Sequence, residues 1–565
     1  MRMATGIDLY IVVIYMVLMV VIGIIVSRFN KSDSDFFKSG NKMPWWLSGL
    51  SFFMTSFSVY TFTGAAGLAY RAPSVALVLY LCNAVALVPA VLFLAAKWRR
   101  SRAMTSMSYL SERYDVPTNQ LYSWSHLGVA VVQGGVQLLA LGKFISVAMG
   151  TPLGLTILVC GIVIAVYCLI GGLWAVVITD SLQFMVLFPC ALVVLFLSFH
   201  ELGDVGRLVS QAPPDFWKIE TQEFDWWYIL AYLVMIFFAM SSGAPAQRFF
   251  SVKDEKEAKK VAILSMVLLL IAPLIWLTPP IVTRILDLDL SSVTTGLNAP
   301  QEAAYVVFCM KFLPAGAMGI MLSAMLAATM SSISSTFNVY AAVITEDIIK
   351  QVFWKNAKAG TLLLIGRVVT VVLAVLVIAA AIMQSRIDGG VFEIMMTISG
   401  IVVVPAGVPI VMGLLVKRTP RWAALASYGT GLVIGAAVLL LGKDISFTQE
   451  VFWVGGLSSL VYFIPGLIIK ARGNYKVALD KFFVKMETAV SRSESGESDR
   501  TDRSSLKITG WTTAGMGLAI MALFMLDLDL KGKLINLSIG FMIFLVGVLL
   551  LLATAHLDKK TNNGI

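Results

Sequence analysis

Charge is scarce in this sequence. Only 13% of its 565 residues are Asp, Glu, Lys or Arg, while 58% are hydrophobic and the mean hydropathy is +0.85. A soluble domain of that length needs far more surface charge, so the composition excludes the soluble classes and leaves an all-α polytopic membrane protein. Cysteine is also sparse: Cys82, Cys160, Cys168, Cys190 and Cys309 all fall in apolar stretches and form no CxxC. They read as small packing residues, which excludes a disulfide framework and a thiolate metal site. Three scattered histidines, His126, His200 and His556, argue against a histidine-ligated metal. There is no Walker A loop, no pair of catalytic carboxylates and no nucleophile elbow, so the chain reads as a non-enzyme. The net charge of +10 makes no case for nucleic acid, because in a membrane protein the placement of charge matters more than its sum.

What is present is a series of apolar stretches about 20 residues long, enough to cross a bilayer. They fall near 6–27, 45–70, 74–98, 123–150, 152–171, 172–199, 226–250, 258–286, 301–349, 360–385, 391–416, 420–442, 449–472, 508–527 and 534–556, about fifteen spans. The first is too long in its apolar part, and lacks the small-x-small site, for a cleaved signal peptide. The stretch 301–349 exceeds one crossing, so its start, with Glu302 and Lys311, is expected to lie partly along the outer surface. With the N-terminus outside, the loops that become cytoplasmic hold 31 Lys and Arg, against nine in the outside segments. The positive-inside rule therefore predicts N-out, C-in, a multi-pass protein of the cell membrane. The Ser-rich, charged stretch 491–505 reads as a flexible cytoplasmic linker too short for a catalytic domain.

Three features carry chemistry. The first is Ala328-Thr329-Met330-Ser331-Ser332-Ile333-Ser334-Ser335, which lies in a stretch with no charge between Lys311 and Glu346. On a helix Ala328, Ser331, Ser332 and Ser335 share one face with Ser334 beside it, and neutral oxygen donors of this kind suit a small hard cation. Small residues also let membrane helices approach closely. The second is a pair of interrupted spans. Residues 54–64 are dense in hydroxyls and lead to Gly64, and Met240-Ser241-Ser242-Gly243-Ala244-Pro245 puts glycine and proline inside a helix. Each break opens a five-span block, 45–199 and 226–416, which is the pattern of inverted-repeat transporters. The third is Asp180, an intramembrane carboxylate, functional by default, whose obvious partner is the serine cluster through a bound cation. Lys143 and Arg367 also lie within spans, where each can reach an interface or pair locally.

These residues carry a resemblance. Gly171–Asp180, Ala328–Ser335 running on to Thr345-Glu346-Asp347, and Gln247-Arg248, with a weaker marker at Met107–Tyr114, resemble the solute:sodium symporter family of sodium/glucose, sodium/proline and sodium/sialic acid transporters. The match covers about 1–472. It implies the leucine-transporter fold, an inverted 5+5 helix repeat with extra flanking helices. The division would be an N-terminal extra helix and loop (1–44), two repeats (45–199 and 226–416), two peripheral helices (417–472), a cytoplasmic linker (473–507) and two C-terminal helices with a short tail (508–565). By position, the resemblance places a first sodium on the carbonyls of Met54, Phe57 and Ala328 and the hydroxyls of Ser331 and Ser332. Members that couple a second sodium carry a further serine pair and an acid, here Ser334, Ser335 and Asp180.

The solute positions depart from the sugar transporters. The acid of the second core helix falls at Tyr80, the asparagine of the second break at Ser242, a lysine at Leu269, and the glutamine of the tenth core helix near Met396 or Thr397. The arginine that carboxylate-transporting relatives often place on the third core helix falls at Gln133, with Gln137 one turn on. Hydroxyls of Ser56, Ser58 and Thr61 remain as solute-facing candidates. The expectation is a sodium-coupled importer of a small, neutral, polyhydroxylated solute such as a sugar, working by alternating access with Na+ as the coupled ion. Its partners would be the solute, sodium ions and the bilayer, with no nucleic acid. A carboxylate or amino-acid-like solute, and a membrane sensor on a transporter fold, are the alternatives. Solute identity, oligomeric state and sodium stoichiometry are not read from the sequence.

Overall fold

The computed structural model describes residues 3–27, 41–169, 173–291, 299–387, 390–441, 445–469, 472–491, 494, 499–525 and 530–562. The basic loop at 28–38, Gly171, Gly172, residues 292–298 of the outer loop and 495–498 of the Ser-rich stretch lie outside these. Every one of the fifteen apolar stretches carries helix. Among the described residues, eleven helices are long and apolar enough to cross a membrane by length and composition. A twelfth span comes from the pair Trp226–Ser241 and Gly243–Phe250, bent by 45° at their junction.

The centre of the bundle is Ala317–Ala342, the helix that carries the serine cluster; its most apolar stretch is buried throughout. Leu173–Leu202 and Val116–Met149 pack against it, with Trp45–Thr55 beside them. Gly6–Ser27 closes one end of this core. Its Asp8 Oδ1 accepts the Gly316 and Gly319 N–H groups, both at 2.8 Å, and so caps the central helix where Gly316 turns at φ +83°. A side chain at 319 would strike the Asp8 backbone within 2.7 Å.

Both expected breaks are present, and each has a local cause. Trp45–Thr55 ends at Ser56. Ser58 is extended (φ −149°, ψ 177°) and its hydroxyl accepts the Tyr60 N–H at 3.3 Å, starting a short 3-10 turn, Val59–Phe62, before Gly64–Arg71. In the second, Ser242 is extended and Gly243 adopts φ +59°, a conformation open to glycine, so the helix restarts at a new angle with Pro245 in its first turn.

The segment expected as a cytoplasmic linker differs from expectation in part. Within 473–507, expected as a linker, Gly473–Glu487 is a helix that buries Leu479, Phe482, Phe483 and Met486, and Asp499–Met521 begins inside the Ser-rich stretch. The apolar spacing of Leu479, Phe482, Phe483 and Met486 is helical. Arg113 anchors this helix, donating to Tyr475 Oη at 2.7 Å and lying over the Phe483 ring.

Candidate functional site

The first break lies against the serine cluster. Ser332 Oγ donates to the Thr55 carbonyl at 3.3 Å, Thr55 Oγ1 donates to Ser335 Oγ at 3.0 Å, and the Val59 N–H reaches Thr329 Oγ1 at 3.4 Å. Met54, Phe57 and Ala328 are buried at the same junction. Of the expected first-sodium groups, Met54, Phe57, Ala328 and Ser332 are therefore neighbours, while Ser331 turns to the Asp180 side. The helix ending at Thr55 leaves carbonyls without helical partners, which a cation can use.

The cluster splits by face. Ser332 borders the central cavity, Ser334 turns back to donate to the Ser331 carbonyl at 3.1 Å, and Ser331 faces Asp180. Asp180 is wholly buried and takes a hydrogen bond from Ser51 through Oδ2. Its Oδ1 and the Ser331 hydroxyl face each other, both buried, and neither has another hydrogen-bond partner among the described residues. Orphaned buried oxygens of this kind cost free energy until a cation or water meets them.

Arg248, expected among the cytoplasmic loop charges and as part of a family marker, is instead wholly buried and joins these groups. Its wholly buried guanidinium lies 3.6 Å from Asp180 Oδ2 and donates to Ser51 Oγ (2.8 Å), Gln247 Oε1 (3.0 Å), Thr55 Oγ1 (3.1 Å) and Ser335 Oγ (2.7 Å). Asp180 and Ser335, expected to share a second sodium, therefore already share a protein cation. The signal that could have identified it is an arginine adjoining a broken intramembrane helix, since such a charge needs a buried partner.

Beside the cluster the two breaks enclose a chamber of about 210 Å³ that leads into a second of about 170 Å³. Ser56, Ser58, Thr61 and Tyr80 line the first, Gln133 lines both, and Ser242 lines only the inner one. Sequence reasoning did not assign Tyr60, Asn83 and Tyr232, which line the first chamber, or His126 and Tyr340, which line the second. No Asp, Glu, Lys or Arg lines either chamber. Toward the side assigned as outside, Tyr60 stacks on Phe392 with centroids 6.4 Å apart, and beyond them opens a vestibule of about 790 Å³.

Two sets of ties bound the site. On the side expected to face outward, Lys143 pairs with Glu302 at 2.8 Å, both buried, and Glu302 Oε1 also accepts the Val391 N–H at 2.5 Å. This joins three elements and gives Lys143 a buried partner. Glu302 was expected along the outer surface and is instead 4% exposed, because two helix N–H groups and an ammonium face it. On the opposite side, Asp347 accepts from Thr105 (2.6 Å) and Asn119 (3.4 Å), and Arg113 donates to the Gly413 and Val416 carbonyls.

A sequence model of the sodium:solute symporter family matches residues 36–431. The chain is 27% identical over 475 residues to the sodium/sialic acid symporter NanT of Aliivibrio fischeri, covering 80% of this chain and 88% of that one. It is 26% identical over 494 residues to a sodium/mannose cotransporter of Bos taurus, covering 78% and 80%. Among solved structures, a sodium-coupled sialic acid symporter in a substrate-bound outward-open state superposes with a TM-score of 0.71 at 20% identity, covering 83% of this chain and 99% of that one. The nucleobase-cation-symport transporter Mhp1 gives a TM-score of 0.51 at 13% identity, covering 80% and 99%. These likenesses show the fold, the leucine-transporter type.

Proposed function

The chain belongs to the sodium:solute symporter family, and on that premise we propose that it imports a small neutral solute together with sodium by alternating access. It is a transporter, not an enzyme, and it is a multi-pass membrane protein. The observation that carries the solute class is the uncharged chamber between the two breaks, where Gln133 and hydroxyls take the place of an arginine or a carboxylate. An anionic solute buried there would meet no protein cation among the described residues. The relatives named above are described as moving sialic acid and mannose; the second fits a neutral chamber and the first does not.

The first sodium would sit on carbonyls of Met54, Phe57 and Ala328 with Ser332, one wall of the solute chamber. A second would meet the free oxygens of Asp180 and Ser331, with Ser334 and Ser335 nearby. The solved sialic acid symporter, described as having a novel sodium site, supports looking for one. The N-out, C-in orientation and the repeat boundaries 45–199 and 226–416 belong to the same reading. Reconstituted into liposomes, the protein should accumulate labelled neutral sugars or polyols only under an inward sodium gradient. Uptake that is indifferent to sodium, or confined to carboxylates, would refute the reading.

A further inference from the structure

The walls of the first chamber differ in chemistry. On one side stand hydroxyls of the first break together with Tyr80, Asn83, Gln133 and Gln137, from two neighbouring helices. Gln137 Oε1 is buried there with no hydrogen-bond partner among the described residues. Facing them, Trp226–Ser241 contributes Met235, Ile236, Ala239 and Met240, and Val391–Met412 contributes Met395, Met396 and Val403. Ser399 interrupts this wall once. Tyr232, at its outer end, has its hydroxyl engaged by Asn83 Nδ2 at 3.3 Å.

A fully hydroxylated sugar ring would turn some hydroxyls onto the methionine wall and bury them unpaired. Methionine is apolar and adaptable, so it moulds to a methyl group and offers a hydroxyl only a weak sulfur acceptor. We infer that the solute is a sugar-sized neutral molecule with hydroxyls along one edge and a methyl-bearing face along the other, the chemistry of a 6-deoxyhexose. This rests on the symport reading above and narrows its substrate class.

The test uses matched pairs differing by one hydroxyl: D-galactose with D-fucose, L-mannose with L-rhamnose, and D-glucose with 6-deoxy-D-glucose. Binding to the purified full-length protein is titrated in sodium and in potassium, with sodium-induced thermal stabilisation recorded separately. In at least one pair the deoxy member should bind about tenfold to a hundredfold tighter in sodium. Met396→Gln or Met235→Gln, which gives the wall a hydrogen-bonding group, should narrow or reverse that preference. Parent hexoses binding equally or better in every pair would overturn the inference, as would no binding by any member, or a preference that both variants leave intact. If sodium still stabilises the protein in those cases, only the inference on the solute falls. If sodium neither stabilises it nor promotes binding, the symport reading falls and takes the inference with it.

Discussion

Asp180→Asn separates two roles that the structure superimposes on one carboxylate. As a structural group, Asp180 balances Arg248, wholly buried 3.6 Å away. Removing one partner of such a pair leaves an uncompensated charge and costs about 3–5 kcal/mol. Four hydroxyl and amide acceptors still hold the guanidinium, so a loss near the lower end is expected. As an ion ligand, Asp180 offers Oδ1 and the facing Ser331 hydroxyl, which have no partner beyond each other among the described residues. If a second sodium binds there, a neutral solute enters with two charges. Each charge is driven by about 2.3 kcal/mol per 100 mV, or about 50-fold in accumulation at about 1.4 kcal/mol per factor of ten. The double variant Asp180→Asn with Arg248→Gln restores neutrality. It should recover much of the thermal stability while the charge per solute stays near one. The reversal potential of solute-driven current in proteoliposomes reads that ratio. A wild-type ratio of one removes the second site and leaves Asp180 as the counter-ion of Arg248. A ratio of two that Asp180→Asn leaves unchanged places the second ion elsewhere.

Three further outcomes follow from the geometry. Ser332→Ala removes a hydroxyl at the Thr55 carbonyl without stranding a charge, so the fold should persist while apparent sodium affinity falls about 5- to 10-fold, from about 1–1.5 kcal/mol; sodium dependence of uptake checks it. Glu302→Ala strands Lys143 and strips two N–H groups of their acceptor, and should lower stability by about 3–5 kcal/mol, with Lys143→Met in the same chain recovering part of the loss on thermal unfolding. Asp8→Ala removes the acceptor of Gly316 and Gly319, about 1–2 kcal/mol by thermal unfolding, and because Asp8 lies at the end of the central helix remote from the serine cluster, sodium affinity should not move.

Hydropathy carried the spans because a membrane leaves the chain few alternatives to apolar helices. The two breaks were legible because Ser58, Gly243 and Pro245 act locally, through hydroxyl capping, left-handed backbone and lost donors. The serine cluster was legible as chemistry, but its division was not. Which serine meets Thr55, which meets Arg248 and which faces Asp180 depends on where three helices cross, and spacing along one helix is silent on that. Arg248 was missed for the same reason: its acceptors come from residues 51, 55, 247 and 335. Glu302 was misplaced because a carboxylate near an outer loop looks solvated until the helix ends around it are known. The candidate solute positions were read largely from their place on the breaks and on the third core helix, and they line the two chambers. The methionine wall opposite was not, since apolar residues in an apolar span carry no signal of which face they turn inward.

Coupling of ion and solute can be traced to Thr55. Its carbonyl accepts from Ser332 at the proposed first-sodium position, and its hydroxyl donates to Ser335 and accepts from Arg248 beside Asp180. The same residue lines both chambers. It is the last residue of its helix, so its backbone is held by these contacts and not by a further helical turn. A sodium ion drawing the carbonyls of Met54 and Phe57 toward Ala328 and Ser332 would fix the break that also presents Ser56, Ser58 and Thr61 to the solute. Ordering that strand once serves both ligands, so whichever binds first spares the other part of the entropic cost, and each raises the other's affinity by the same factor. Thr55→Val keeps the shape and the carbonyl but removes the hydroxyl that ties the break to Ser335 and Arg248. It should weaken the dependence of solute affinity on sodium more than it weakens either ligand bound alone, and a sodium titration of solute Kd in that variant measures the coupling directly. Coupling unchanged from wild type would mean that the carbonyl contacts alone transmit it.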